Sequence, residues 1–172
     1  MKNILFILTL ILTSSLVRCQ VTSNIISKTE FYNIKINNIT LDDIQATEGN
    51  QIELINLIPA TIQESNIDPN GEFCYYTYDG FEIGFSGNLG TIEHPILGSF
   101  KITKDNWNIT IQGITVTIGD NISILGNVVI NNDVGGGKSI IYQYCDGCNN
   151  FIYIDFDQYT NKITEVGYIE IP

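Results

Sequence analysis

The feature that most constrains the fold is an internal repeat with a period of about seventy residues. Each copy begins with a glycine, two turn-forming polar residues and a short apolar run, at residues 49–55 and 119–125. A Tyr-x-Tyr segment then leads to Asp-Gly, at residues 76–80 and 142–147. A second apolar segment follows, at residues 81–85 and 152–156. Self-similarity at a fixed period indicates one supersecondary unit used twice.

Hydrophobic periodicity suggests what each unit contains. In the first unit it predicts a strand over residues 31–41, a turn-like stretch over 42–50 and a helix over 51–58 that Pro59 ends. Three strands follow, with Asp79-Gly80 as a two-residue hairpin turn between the first two. These three strands cover residues 72–78, 81–85 and 98–103, and the glycine-rich stretch 86–97 is predicted as a long loop.

The second unit begins at Trp107 with alternating strand residues and continues with at most two helical turns at residues 121–125. A flexible connection over 131–138 leads to strands at 139–145, 151–156 and 163–171. The sequence therefore predicts an α+β fold made of two tandem repeats, about 31–104 and 105–172. Each repeat is a short helix plus a three-strand antiparallel meander, with the helices packed on one side of the sheet. Together they form a single domain over residues 20–172.

The layout resembles the helix-plus-meander repeat of the β-lactamase inhibitor protein family and of small outer-membrane assembly lipoproteins. Residues 49–55 with 76–85, and 119–125 with 142–156, carry the resemblance, and the strand at 162–166 also fits. The insertion at 86–97 and the shortness of both helices depart from that pattern. The resemblance implies a similar fold and a binding module, and it assigns no partner-binding residue.

The first nineteen residues have the pattern of a secretory signal peptide: a basic start at Lys2, an apolar run over 4–12 and a cleavage region ending at Cys19. An alternative is a lipoprotein signal with Cys19 as the lipidated residue. Arg18 disfavours this alternative, because the position before a lipidated cysteine normally takes a small residue. Secretion is the prediction, with a lipoprotein at the cell envelope as the alternative and no transmembrane segment.

The charge of the chain excludes several partners. Without Lys2 and Arg18, six lysines face nineteen acidic residues, and the formal net charge is 6 − 19 = −13. Nucleic acids bind clustered lysine and arginine, so a nucleic-acid partner is excluded. An anionic membrane surface is disfavoured for the same reason. A protein partner, and a basic one, suits this charge.

Three cysteines remain after Cys19. Cys145 and Cys148 form a CxxC in a predicted turn, where a structural disulfide is expected in a secreted protein. Cys74 is an alternative partner for either one, or a buried free thiol. A thiol-redox role is a third alternative, although redox pairs usually lie at a helix N-terminus. No second CxxC accompanies the motif, so a zinc site is not predicted.

Five tyrosines are the candidate partner-binding residues. Tyr76 and Tyr78 share one face of their predicted strand, as do Tyr142 and Tyr144 in the repeat, and Tyr153 lies in the following strand. Facing outward, they would form a surface of the kind enriched at protein interfaces. Facing inward, they would belong to the core. The alternation of residues along the strands leaves both alternatives open.

We therefore expect a non-enzymatic, secreted or envelope-anchored binding module that engages another protein through its sheet face or through residues 86–97. No catalytic residue, metal site or cofactor is predicted. The alternative is a small secreted enzyme or a calcium-dependent protein that uses Asp146, Asp155 and Asp157, with His94 as a further candidate.

Overall fold

The computed structural model describes residues 23–68, 72–88, 91–132 and 137–170, with the main chain alone at residues 88 and 91–94. The predicted signal peptide and Cys19 lie outside the described residues. Within the described residues the fold is mixed α+β and consists mostly of β-sheet, with three short α-helices. The described residues contain no helix that is long and apolar enough to cross a membrane.

The helices are α1 (Lys28–Tyr32), α2 (Leu41–Ala46) and α3 (Gln51–Leu57), and a 3₁₀ turn spans Ile122–Leu125. The strands are β1 (Asn24–Ile25), β2 (Lys35–Ile36), β3 (Ile39–Thr40), β4 (Glu64–Ile67), β5 (Phe73–Tyr78), β6 (Phe81–Asn88), β7 (Thr91–Ile102), β8 (Asn108–Ile111), β9 (Ile114–Thr117), β10 (Ile130–Asn132), β11 (Lys138–Gln143), β12 (Asn150–Phe156) and β13 (Ile163–Glu170).

Nine strands form the main sheet in the order β1-β11-β12-β13-β7-β6-β5-β4, with β10 also paired to β11. All pairings in it are antiparallel except β1 with β11. A second sheet of four short strands has the order β3-β2-β8-β9. The predicted antiparallel sheet is thus confirmed, as is the two-residue turn Asp79-Gly80, across which Tyr78 pairs with Phe81.

The predicted strand over residues 31–41 is wrong, because its two ends are helical. Ser27 and Thr40 each cap a helix with a reciprocal capping box, in which Glu30 and Asp43 return the hydrogen bond. Between α1 and α2 only the short β2–β3 hairpin is extended, and Asn37 and Asn38 form its turn with positive φ. The turn-like stretch 42–50 is likewise helical over α2.

The predicted loop over residues 86–97 is also wrong. β6 continues to Asn88 and β7 begins at Thr91, and Ser86 pairs with Ile96 in the ladder between them. Register shifts at Gly84/Phe85 and Ser86/Asn88 interrupt this ladder and break the alternation of side chains that marks a strand in a sequence. The backbone of His94 is therefore part of strand β7 and not of a loop.

One face of the main sheet is covered and the other is open. Gln45 of α2 donates to the Pro95 carbonyl and accepts from the Leu97 amide, which ties α2 to β7. Phe31 of α1 packs edge-on against Tyr144, with ring centroids 5.3 Å apart. We call this covered side the inner face. Its core residues include Ile83, Phe100, Ile102, Ile140, Ile152, Ile154 and Val166.

The two predicted meanders correspond to β5-β6-β7 and β11-β12-β13, and their last strands pair with each other in the middle of the sheet. The segments that precede them differ, because α2 and α3 precede the first and a single 3₁₀ turn precedes the second. The tandem helix-plus-meander repeat therefore stays a prediction.

On the open face, two glycines make room for tyrosine rings from the neighbouring strands. Gly84 pairs with Tyr75, and Gly167 pairs with Tyr153. A Cβ at Gly84 would lie 3.0 Å from the Tyr75 ring, and one at Gly167 would overlap the Tyr153 ring. Each hydroxyl donates to the carboxylate two residues before its glycine, on Glu82 at 2.6 Å and on Glu165 at 2.8 Å. Glu-x-Gly followed by an aromatic residue therefore occurs twice for a structural reason.

We expect Gly167→Ala to lower the free energy of unfolding by about 1–3 kcal/mol, because the new methyl group forces the Tyr153 ring to move. Urea unfolding of the wild type, of Gly167→Ala, of Tyr153→Ala and of the double variant forms a double-mutant cycle that measures the effect. In the Tyr153→Ala background the cost of Gly167→Ala should nearly vanish. An equal cost in both backgrounds would contradict the proposed contact.

Candidate functional site

Three of the five candidate tyrosines belong to the core. Tyr76, Tyr78 and Tyr142 are buried on the inner face, so the inward alternative holds for them. The hydroxyl of Tyr76 donates to the Gly49 carbonyl at 2.7 Å, across the gap between β5 and the start of α3. The hydroxyl of Tyr78 has no hydrogen-bond partner among the described residues. Burial raises the pKa of Tyr78 to about 12.

This difference predicts opposite outcomes for two matched variants. Tyr76→Phe should lower the free energy of unfolding by about 1–2 kcal/mol, because it removes a buried hydrogen bond to the Gly49 carbonyl. Tyr78→Phe should leave stability unchanged or raise it, because it removes an unpartnered polar group from the interior. Chemical unfolding of the two proteins side by side is the measurement. Equal effects would show that the Gly49 contact contributes nothing.

The other two candidate tyrosines are half-buried and already engaged. Tyr144 lies beside α1, with the Lys28 ammonium 5.8 Å from its ring centroid. Tyr153 covers Gly167 on the open face and donates to Glu165. Burial raises the pKa of Tyr153, and the hydrogen bond to Glu165 raises it further by a smaller amount. The structure thus separates the five tyrosines and places none of them in a common surface patch.

The predicted disulfide joins Cys145 and Cys148 across the turn after β11, with their Cα atoms 5.5 Å apart. A disulfide is typical of proteins in oxidising compartments. The alternative in which Cys74 pairs with one of them is wrong, because Cys74 is free. Its Sγ donates to the Gly49 carbonyl at 3.6 Å, and burial raises the pKa of its thiol. At neutral pH Cys74 is therefore a weak nucleophile.

The candidate carboxylates do not form one site. Asp146 lies in the turn before β12 and Asp157 follows its end, so a seven-residue strand separates them by about 20 Å. Asp157 caps its turn by accepting from the amides of Tyr159 and Thr160, and the hydrogen bonds from Thr160 lower its pKa. Asp155 lies between them on β12, in register with Glu165. Nowhere in the described part of the chain do three His, Cys, Asp or Glu side chains group as metal ligands would.

The strongest candidate site is a groove between α3 and the edge strand β4, which we call the α3–β4 groove. Two adjoining cavities of about 410 and 390 Å³ form it, and Gln51 borders both. The first lies over Cys74, Tyr76 and Phe85, between the start of α3 and Ile67. The second runs past Ile55 to Ile62 and Ser65.

Three isoleucines make this groove apolar and accessible. Ile52 is 72% exposed, and Ile55 and Ile67 are each 52% exposed. Ile52 and Ile55 are three residues apart and so lie on one side of α3, whereas Leu54 of the same helix is buried. The helix is apolar on more than one side, and this is the sequence signal that points to the groove.

The start of α3 is held close to the sheet. Gly49 has a φ of +72°, and a Cβ there would lie 2.5 Å from the Cys74 Sγ. Asn50 then caps α3 by accepting from the amides of Ile52 and Glu53. With Tyr76 bound to the Gly49 carbonyl, this close approach fixes one wall of the groove against its floor. Ile52 is therefore presented from a rigid position.

The surroundings of the groove are acidic. Glu64 borders it directly. Glu48, Asp68 and Glu72 are the sequence neighbours of the lining residues Gly49, Ile67 and Phe73. No lysine or arginine occurs between Lys35 and Lys101. The acidic residues in that stretch are Asp42, Asp43, Glu48, Glu53, Glu64, Asp68, Glu72, Asp79, Glu82 and Glu93.

Comparisons with protein-family models, with curated proteins and with solved structures returned no match. The assignment of function therefore rests on the geometry and chemistry of the groove.

Proposed function

We propose that this protein is a non-catalytic binding module that engages another protein through the α3–β4 groove. The observation that carries the proposal is the cluster of exposed isoleucines, Ile52, Ile55 and Ile67, beside an edge strand. Single exposed apolar side chains are ordinary on protein surfaces, but apolar residues that cluster along a groove mark interaction sites.

The energetics favour a macromolecular occupant over a small ligand. The exposed parts of Ile52, Ile55 and Ile67 together equal about 1.8 whole side chains, so their complete burial would contribute about 3–5 kcal/mol at about 1.5–3 kcal/mol per side chain. Micromolar affinity needs about 8 kcal/mol, so the occupant must supply further contacts. The acidic residues beside the groove can supply them to a basic protein, since charge complementarity speeds association and selects partners.

We further propose that the chain is secreted or anchored at the cell envelope, in line with the signal-peptide pattern and supported by the disulfide. A tandem repeat like that of the β-lactamase inhibitor protein family belongs to the same proposal. The strand order β11-β12-β13-β7-β6-β5 supports it, because two meanders related by an approximate two-fold axis would pair through their last strands.

Site-specific photocrosslinking tests this function. A photoreactive amino acid at position 52 should crosslink a partner from the extracellular fluid or envelope of the source organism, because Ile52 is 72% exposed in the groove. The same amino acid at position 124 is the matched control, since Ile124 is 43% exposed on the 3₁₀ turn outside the groove.

Substitution makes the test quantitative. In a pull-down with chains that lack the photoreactive amino acid, Ile52→Asp should reduce recovery of the partner identified by crosslinking at least tenfold, whereas Ile124→Asp should leave it unchanged. Both side chains are exposed, so neither variant should lose much stability. Equal crosslinking from both positions, or full recovery with Ile52→Asp, would overturn the proposal.

A further inference from the structure

The main sheet ends in the short strands β1 and β10 on one side and in β4 on the other. At one end β11 pairs with both β1 and β10. At the other end β4 pairs only with β5 among the described residues, and all four of its residues are exposed. An open edge strand presents unpaired backbone groups that another chain can pair with.

The orientation of the β4 backbone follows from its ladder with β5. The amide of Asp68 donates to the Phe73 carbonyl at 3.0 Å. Because inward and outward amides alternate along an antiparallel strand, the N–H groups of Ser65 and Ile67 point to the open edge. They are the donors that an added strand would meet.

The side chains of β4 place the groove beside that edge. Ser65 lies opposite Tyr76, and Ile67 lies opposite Cys74, so both belong to the inner face. Glu64 and Asn66 belong to the open face. A strand added about 4.8 Å beyond β4 would direct every second side chain to the inner side, where Ile52 and Ile55 of α3 are exposed.

The charges specify the other side chains of the occupant. Glu64 is exposed on β4 and Glu72 is exposed just before β5, and the chain has no lysine or arginine between Lys35 and Lys101. A segment with lysine or arginine at the alternate positions would complement the carboxylates, whereas an acidic segment would be repelled.

We propose that the occupant of the α3–β4 groove is an extended basic segment of the partner, which adds to β4 as a new edge strand. Its apolar side chains pack on Ile52 and Ile55, and its lysines or arginines lie on the opposite side, beside Glu64. This inference rests on the proposed function and adds to it the conformation and charge pattern of the partner.

Synthetic octapeptides with blocked ends test the charge and the conformation. The probe alternates valine and lysine, and the first control alternates valine and glutamate. The second control has the same valines and lysines in an order that would put the valines on one face of a helix and the lysines on the other. Titration of the isotope-labelled protein followed by amide NMR should show shifts at residues 64–67 with the alternating lysine peptide. We expect binding of each control to be at least tenfold weaker.

Two variants at one position separate backbone pairing from simple attraction of charges. Ser65→Pro removes an outward N–H and should weaken binding of the lysine peptide at least fivefold, whereas Ser65→Ala keeps the N–H and should bind normally. The Asp68 amide reports whether the β4–β5 ladder persists in each. Ile52→Asp is a third variant, which should also weaken binding at least fivefold without altering β4.

The outcomes distinguish this inference from the proposed function. Equal binding of the lysine and glutamate peptides, tighter binding of the helical peptide, or unchanged binding in both Ser65→Pro and Ile52→Asp would overturn the inference. Absence of binding by every peptide would overturn it as well. Crosslinking of a natural partner from position 52 would in each case still support the proposed function.

Discussion

The antiparallel pairing of β7 with β13 at the centre of the main sheet holds the two halves of the fold together. Val166 pairs with Ile102 and Tyr168 with Phe100, whose stacked rings have centroids 5.8 Å apart. This pairing joins the first half of the chain to its last strand and makes one continuous core from two meanders. Since such contacts are distant in sequence, their formation costs loop-closure entropy that burial of the aromatic inner face must offset.

Because the β7–β13 pair lies at the centre of the main sheet, β4 is its last strand, and this position explains the groove. Ile67 on β4 and Ile52 on α3 stay exposed beside this edge, although Leu54 of α3 and Tyr76 of β5 are buried. The open face needs no cover, because its tyrosines are engaged with carboxylates across the strands and with glycines beneath their rings. The groove is therefore a place where apolar side chains of α3 and β4 remain exposed side by side.

Local signals were sufficient where one residue type dictates the backbone. The helix ended by Pro59 and the hairpin turn at Asp79-Gly80 were both predictable. The helices at residues 28–32 and 41–46 were missed because isoleucine alternation in 34–39 suggested a longer strand, although Ser27 with Glu30 and Thr40 with Asp43 already spelled two capping boxes. The strands through 86–97 were missed because bulges break the alternation that a strand prediction needs. Of the groove, only α3 and its surplus of apolar residues could be predicted.

Residue types and their near neighbours in the chain were enough to specify the α+β class, the hairpin turn at Asp79-Gly80, the acidic charge and the presence of apolar strands. The tertiary structure alone decided that Tyr76, Tyr78 and Tyr142 face inward while Ile52 and Ile67 face outward. Alternation along a strand gives two faces, but which face is covered depends on elements that pack from elsewhere in the chain. It also decided that Cys74 stays apart from the Cys145–Cys148 disulfide, because whether Cys74 can reach either cysteine depends on the distance between their strands, which the sequence does not give.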